Sequence, residues 1–202
     1  MKKTVLKTAA ITFLAMTILF CGSIFAISMF APSVMVKVTS DLGLKKSSVR
    51  YAEREYNKTK RDEDLTNLIF LANEAEDYKI IVKYSPVLME KENFPQGING
   101  NLSGEALKNF VTGSYFEALI RVKTSDGDII KYAGKYYNLN YGAYKAGNPY
   151  RVLTALSDEL SPDLISAIIE KLDSIKNAGD ISQTELKLLE SDLSALTTRS
   201  GL

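Results

Sequence analysis

Asp126 and Asp128 flank a glycine in the run Ser125-Asp126-Gly127-Asp128. Two carboxylates at that spacing can share a metal ion or divide acid and base roles. The same residues also write a turn: Gly127 supplies a positive φ and the aspartates accept from nearby amides. A second group is aromatic: Tyr132, Tyr136, Tyr137, Tyr141, Tyr144 and Tyr150 crowd one stretch. Phenol rings stack and hydrogen-bond, so they suit a surface that holds a peptide or glycan. The competing reading is packing, with ring bodies inward and hydroxyls at the rim. Adjacent Tyr136 and Tyr137 cannot both face one core, so some ring edges meet solvent. The partner contacts expected on this basis are Tyr132, Tyr136, Tyr137, Tyr141 and Tyr144.

A third run, Gly179 to Leu186, resembles the second half of a calcium-binding EF-hand loop, with Gly179 at the sharp turn and Glu185 as the bidentate ligand. Its first half departs from that pattern, because Ser174, Lys176 and Ala178 stand where carboxylates belong. A capping box explains the residues better: Gly179 ends one helix, and Ser182 with Glu185 starts the next. No metal site is therefore expected. The chain has no histidine, the commonest general base and metal ligand. Its single cysteine, Cys21, lies in an apolar run, which makes thiolate chemistry a poor fit. No nucleophile elbow, no phosphate-binding glycine loop and no Ser-x-x-Lys set with partner motifs occurs. Formal charge is +1, without a basic stripe interleaved with aromatics, so nucleic acid is not an expected partner. Neither enzyme activity nor a cofactor is expected.

The elements that must position these residues begin with an anchor. Lys2, Lys3 and Lys7 precede a run from Thr8 to Val36 without one charged side chain. About 20 residues at about 1.5 Å each cross the hydrocarbon core. The run exceeds that, and it also exceeds the usual apolar region of a secretory signal. Small-residue cleavage patterns are poor, since Ile24 and Met29 occupy positions needing small side chains and Phe20 spoils a lipobox at Cys21. The expectation is an uncleaved single-pass membrane anchor over residues 9–36, behind a cytoplasmic leader of residues 1–8. Lys37, Lys45, Lys46 and Arg50 make the far flank basic too. The short Lys-rich leader still favours a signal-anchor with residues 37–202 outside the cell membrane.

Beyond Lys37 the apolar period is helical, and the fold class expected is all-α. One helix from about Lys46 to Lys60 carries Val49, Ala52 and Tyr56 on one face. A second starts near Asp62, with Asp62 or Asp64 as cap, and carries Leu65, Leu68, Ile69 and Ala72. Glu76-Asp77 breaks it, then Tyr78, Ile81, Ser85 and Leu88 resume, with Pro86 expected to kink or shorten the helix near Tyr84. The same order recurs in Phe116, Leu119 and Ile120, the Ser125–Asp128 turn, then Ile129, Tyr132, Tyr136 and Leu139. In this alignment Leu68 meets Leu119, Ile69 meets Ile120 and Asp77 meets Asp128. The pattern resembles a tetratricopeptide-type helical hairpin over residues 43–145. The family's repeat is about 34 residues, so the longer spacing implies an insertion, ENFPQGINGNLSGE, read as a loop. Ile81 and Tyr132 stand where the family has a small residue. The anchor and hairpins together also resemble single-pass envelope proteins of Gram-positive bacteria. That resemblance implies a binding or scaffolding module with a protein or peptide partner.

After Tyr150 no aromatic residue occurs, and Gly142, Gly147 and Pro149 are expected to end the Tyr-rich element. Residues 37–150 therefore read as the repeat-like domain and 151–202 as a closing helical hairpin. Ser161-Pro162 is a helix start. Ile165, Ile168, Leu172 and Ile175 form one stripe, and Leu186, Leu189, Leu193 and Leu196 another. Two narrow stripes and a short loop predict an antiparallel pair. Such a pair either caps the stack or forms a seam for a second copy. The alternative function is accordingly a structural envelope protein that self-associates through this hairpin or the anchor.

Overall fold

A computed structural model describes residues 2–91, 104–140, 144, 147–179 and 181–200, the side chains of 2–10 and 139–140 excepted. The protein is all-helical: the described residues form ten α-helices and one 3-10 turn, and no strand occurs among them. Two compact units emerge, residues 1–71 and 72–202, and their boundary falls inside one helix.

In the first unit, α1 (Lys2–Phe30) contains one stretch, Ile11–Phe30, long and apolar enough to cross a membrane. Its large side chains point outward, Phe13 at 75% and Leu19 at 70% exposure. Its hydroxyls turn back on the helix: Thr17, Ser23 and Ser28 donate to the carbonyls of Phe13, Leu19 and Phe25, each at 2.8 Å. Polar groups satisfied within their own segment are what hydrocarbon requires. The uncharged run does not continue as one helix to Val36, as the sequence suggested. Pro32 pushes the preceding residue out of the helical region, and Ala31 sits at φ −135°, ψ 66°, with Pro32 at the first position of α2 (Pro32–Asp41).

Gly43, at φ 69°, makes the turn into α3 (Lys45–Thr59). That helix packs along α2, with the buried Ser48 hydroxyl donating to Thr39 Oγ1 at 3.0 Å. Val49, Ala52 and Tyr56 form the buried face of α3 as expected. After a left-handed Lys60, α4 (Asp62–Glu74) begins. Asp64 does not act as the expected cap for amides. It accepts from Thr59 and takes a two-pronged bond from Arg61 at 2.9 and 3.2 Å. Burial pushes its carboxyl up, but the Arg61 and Thr59 hydrogen bonds prevail and hold it below the ordinary range.

In the second unit, α5 (Tyr78–Met89) is capped by Asp77, whose side chain accepts from the Ile80 amide, and lies along α6 (Gly104–Arg121). Pro86 does not shorten α5 near Tyr84: the helix runs on to Met89. Proline sits one turn from the end, where it removes a single ladder bond, and Glu90 N–H still donates to the Pro86 carbonyl at 3.0 Å. The Gly-, Pro- and Asn-rich insertion falls, up to Ser103, outside the described residues.

The remaining helices are α7 (Asp126–Asn140), α8 (Pro149–Ala155), α9 (Pro162–Ala178) and α10 (Gln183–Ser200), with the 3-10 turn at Ser157–Glu159. Pro149 does not end an element. It opens α8, capped by Asn148, which accepts from the Tyr150 amide at 2.9 Å. Gly142 lies outside the described residues. Gly147 lies close to α6: a Cβ there would stand 2.1 Å from Asn109 Oδ1, so that side chain would have to move. α9 and α10 pack on each other across a short loop, with Ile168, Leu172, Leu189 and Leu196 fully buried and Lys176 paired to Glu190 at 2.9 Å.

Candidate functional site

The expected positive φ at Gly127 is absent. It falls instead on Lys123, at φ 60°, because Asp126 to Asp128 already form the first turn of α7. Thr124 N–H reaches back to the Leu119 carbonyl at 2.9 Å, as Asp77 N–H reaches Ala72 at 2.8 Å after left-handed Glu76. Both helices therefore end in the same Schellman turn. Ser125 then caps α7 by accepting from the Asp128 amide, and donates to the Asp128 carboxylate at 2.7 Å. Asp126 serves a distant element: its carboxylate accepts from the hydroxyl of Ser161, the cap of α9. The two aspartates are thus committed to different partners.

Counting from the caps Asp77 and Ser125, Ile81 answers Ile129, Ser85 answers Ala133 and Leu88 answers Tyr136, all buried. Counting back from Glu76 and Lys123, Leu68 answers Tyr115, Ile69 answers Phe116 and Ala72 answers Leu119. The register is one helical turn away from the alignment read in the sequence. Ser85 and Ala133 are thus small, buried residues at matching positions of α5 and α7.

The tyrosines divide. Tyr136 and Tyr144 are buried at 1% and 0% exposure, so their rings are not offered to a partner. Tyr132 and Tyr137 are half-buried, and Tyr141 lies outside the described residues. Tyr136 stands edge-to-face on Tyr115 with centroids 5.7 Å apart, and Tyr132 touches the same ring at 6.2 Å. Tyr136 donates to Glu90 at 3.3 Å. Burial foremost, then the neighbouring Tyr115 and Glu90, raises its phenol well above the ordinary value.

Tyr144 is the pin for the last hairpin. Its amide donates to Glu185 at 3.0 Å and its hydroxyl to Asp192 at 2.8 Å, with Arg151 on Asp192 at 3.2 Å. Burial, then Asp192, raises this phenol as well. Glu185 also completes the capping box, its other oxygen accepting from the amide and hydroxyl of Ser182 at 2.9 and 2.7 Å. Both carboxylate oxygens are thereby engaged, and Gly179 ends α9 at φ 71° as the turn reading required. Asp180 lies outside the described residues. Among the described residues, no cluster of three His, Cys, Asp or Glu is placed to hold a metal.

What the arrangement opens to solvent is a groove of about 470 Å³ between α7 and α9. Gly127, Ile130, Lys131, Gly134, Tyr137 and Asn138 form one continuous side of α7 along it. These recur at three- and four-residue steps, beside the core face of Ile129, Ala133 and Tyr136. Lys171, Ser174 and Ile175 supply the α9 wall, and Tyr150 stands against Tyr137 with ring centroids 5.7 Å apart. The charged side chains lining the groove are both cationic. Of the expected contacts among the described residues, only Tyr137 lines it. Lys131 and Gly134 were detectable in the sequence as a second periodic face, whereas the α9 wall was not.

No protein-family model matches the chain, and no curated protein or solved structure matches it.

Proposed function

We propose that this protein is a membrane-anchored helical binding module, held by α1 as a single span with residues 37–202 on the outer side. Its partner is a protein segment that carries acidic side chains. The groove of about 470 Å³ carries the reading: Ile130, Ile175 and Tyr137 offer apolar surface, while Lys131 and Lys171 offer the charge to hold a carboxylate. The α7 side of the groove runs from Gly127 to Asn138, roughly 16 Å, which accommodates about five residues of extended chain. A tetratricopeptide-like ancestry belongs to the same proposal. Its support is the pair of matching Schellman turns and the small residues Ser85 and Ala133. Binding rather than catalysis fits the commitment of Asp126 and Asp128 to Ser161 and Ser125.

The test places a photo-crosslinking residue at Asn138 in the full chain on intact cells. A discrete crosslinked partner is expected, lost in Lys131→Glu/Lys171→Glu and kept in Tyr132→Ala. An undiminished crosslink in the double-charge variant would refute the groove. Protease cleavage of the helical body only after lysis would refute the orientation. Self-association through the last hairpin draws less support, because Leu189 and Leu196 are already buried within one chain.

A further inference from the structure

The break between α1 and α2 leaves backbone groups without helical partners, and α3 supplies both. Lys58 Nζ donates to the Phe30 carbonyl at 3.1 Å, and the Ser33 amide donates to Glu55 at 3.1 Å. A cation on a helix carboxyl end and a carboxylate on an amino end each match the local dipole. The consequence is positional: α3 is pinned where the apolar stretch Ile11–Phe30 stops.

A cleft of about 430 Å³ opens at that point. Phe25, Met29 and Pro32 make its apolar part, and Arg54 and Lys58 its charged part. A smaller depression that shares Arg54 continues along α3 past Tyr51 and Arg50. Arg50, Arg54 and Lys58 follow one another at four-residue steps, so they form a single row about 12 Å long. Among the described residues none of the three pairs with a carboxylate, and Arg54 lies over the Tyr51 ring at 5.5 Å. Two acids flank Arg54 in sequence, Glu53 and Glu55, and Glu55 accepts from the Ser33 amide. On α2, Val34 and Val38 remain 50% and 43% exposed, an apolar face continuous with the anchor.

We propose that this cleft binds an anionic phospholipid, with acyl chain against Phe25 and Met29 and phosphate between Arg54 and Lys58. The inference rests on α1 spanning the bilayer, as proposed above. The two halves of the cleft select the ligand together. Free phosphate would gain nothing from Phe25 and Met29, and a zwitterionic lipid would set its own cation against the basic row. Basic residues beside a span are attracted to anionic headgroups, and long cationic side chains reach the headgroup level while their stems stay in apolar surroundings.

The test reconstitutes the full chain in nanodiscs of phosphatidylcholine alone, and of equal parts phosphatidylcholine and phosphatidylglycerol. Lipid retained per chain is read by native mass spectrometry. Phosphatidylglycerol is expected to be retained over phosphatidylcholine by about twenty-fivefold, about fivefold for each of two cations. Arg54→Gln/Lys58→Gln should bring the two lipids near parity. Arg50→Gln/Arg54→Gln, which spares the Lys58–Phe30 contact, should lower the preference with helicity by circular dichroism unchanged. Equal retention by the wild type, or a preference that survives both variants, would overturn the proposal, as would displacement of the lipid by glycerol phosphate. A chain that alkaline washing strips from the phosphatidylcholine discs would overturn the membrane span and this site together. A chain that stays but does not discriminate overturns the site alone.

Discussion

Leucine and isoleucine do opposite things at the two ends of this chain. In α1, Ile11, Phe13, Leu14 and Leu19 face outward, and the hydroxyls turn back onto the helix. In the α9–α10 hairpin, Ile168, Leu172, Leu189 and Leu196 are fully buried, and charges such as Lys176 and Glu190 pair across the surface. The side chains are the same class; on the membrane-span reading proposed above, the medium differs. Around the hairpin, water makes burial of each such side chain worth roughly 1.5–3 kcal/mol. Around a span, lipid removes that incentive and leaves only the demand that every polar group find a partner in its own segment. Back-bonded hydroxyls occur in both regions, Ser166 and Thr197 among them, so the outward exposure of the apolar side chains is what sets α1 apart.

The contrast is broken most strongly at alkaline pH. Tyr115, Tyr136 and Tyr144 are buried, and burial raises all three phenols above their ordinary value near about 10. Above that pH the unfolded chain binds fewer protons than the folded one, so stability is intact below about pH 10 and falls as pH rises. The slope is about 1.4 kcal/mol per pH unit for each phenol that must stay protonated. Urea titration of the reconstituted protein at about pH 8 and about pH 11 should show the helical body weakening by several kcal/mol. α1 has no tyrosine and should stay in the bilayer throughout.

Next comes truncation. Leu172→Ala, at a fully buried site, should cost about 2–5 kcal/mol in urea unfolding, whereas Leu14→Ala on the outward face of α1 should leave that unfolding curve unchanged. Equal effects would dissolve the distinction.

The smallest expected effect is Tyr144→Phe. It removes a hydroxyl from Asp192 but leaves the Tyr144 amide bond to Glu185, so about 1–3 kcal/mol should be lost. Hydrogen exchange should quicken in α10 before α5. Uniform quickening would mean that Tyr144 does not pin the hairpin.

Helix positions were legible to within a residue or two where a cap or breaker marked them: Ser161-Pro162, Gly179, the Ser182–Glu185 box, and the α3–α4 turn. The correspondence between the two helix pairs, α4–α5 and α6–α7, was not. An apolar stripe keeps its phase when slid by one turn, so Leu68 against Leu119 looked as good as Leu68 against Tyr115. Only the left-handed residues Glu76 and Lys123 break the tie, and neither is glycine, so neither announces itself. That Tyr136 and Tyr144 go inward, while Tyr132 and Tyr137 stay half-buried, was hidden for a related reason. Composition cannot say whether a phenol has a carboxylate to meet, as Tyr144 has in Asp192 and Tyr136 in Glu90.

The sequence by itself determined what depends on neighbours along the chain: an all-helical body, a run able to cross a bilayer, and the caps that start and stop helices. These follow from periodicity and from local hydrogen bonds, whose partners lie within four or five residues. The tertiary structure alone decided what depends on residues far apart in sequence. It set α9 beside α7 to open a groove between Lys131 and Lys171, and it brought Lys58 to the Phe30 carbonyl. Nothing in a local pattern encodes which helix end a side chain twenty-eight residues away will reach.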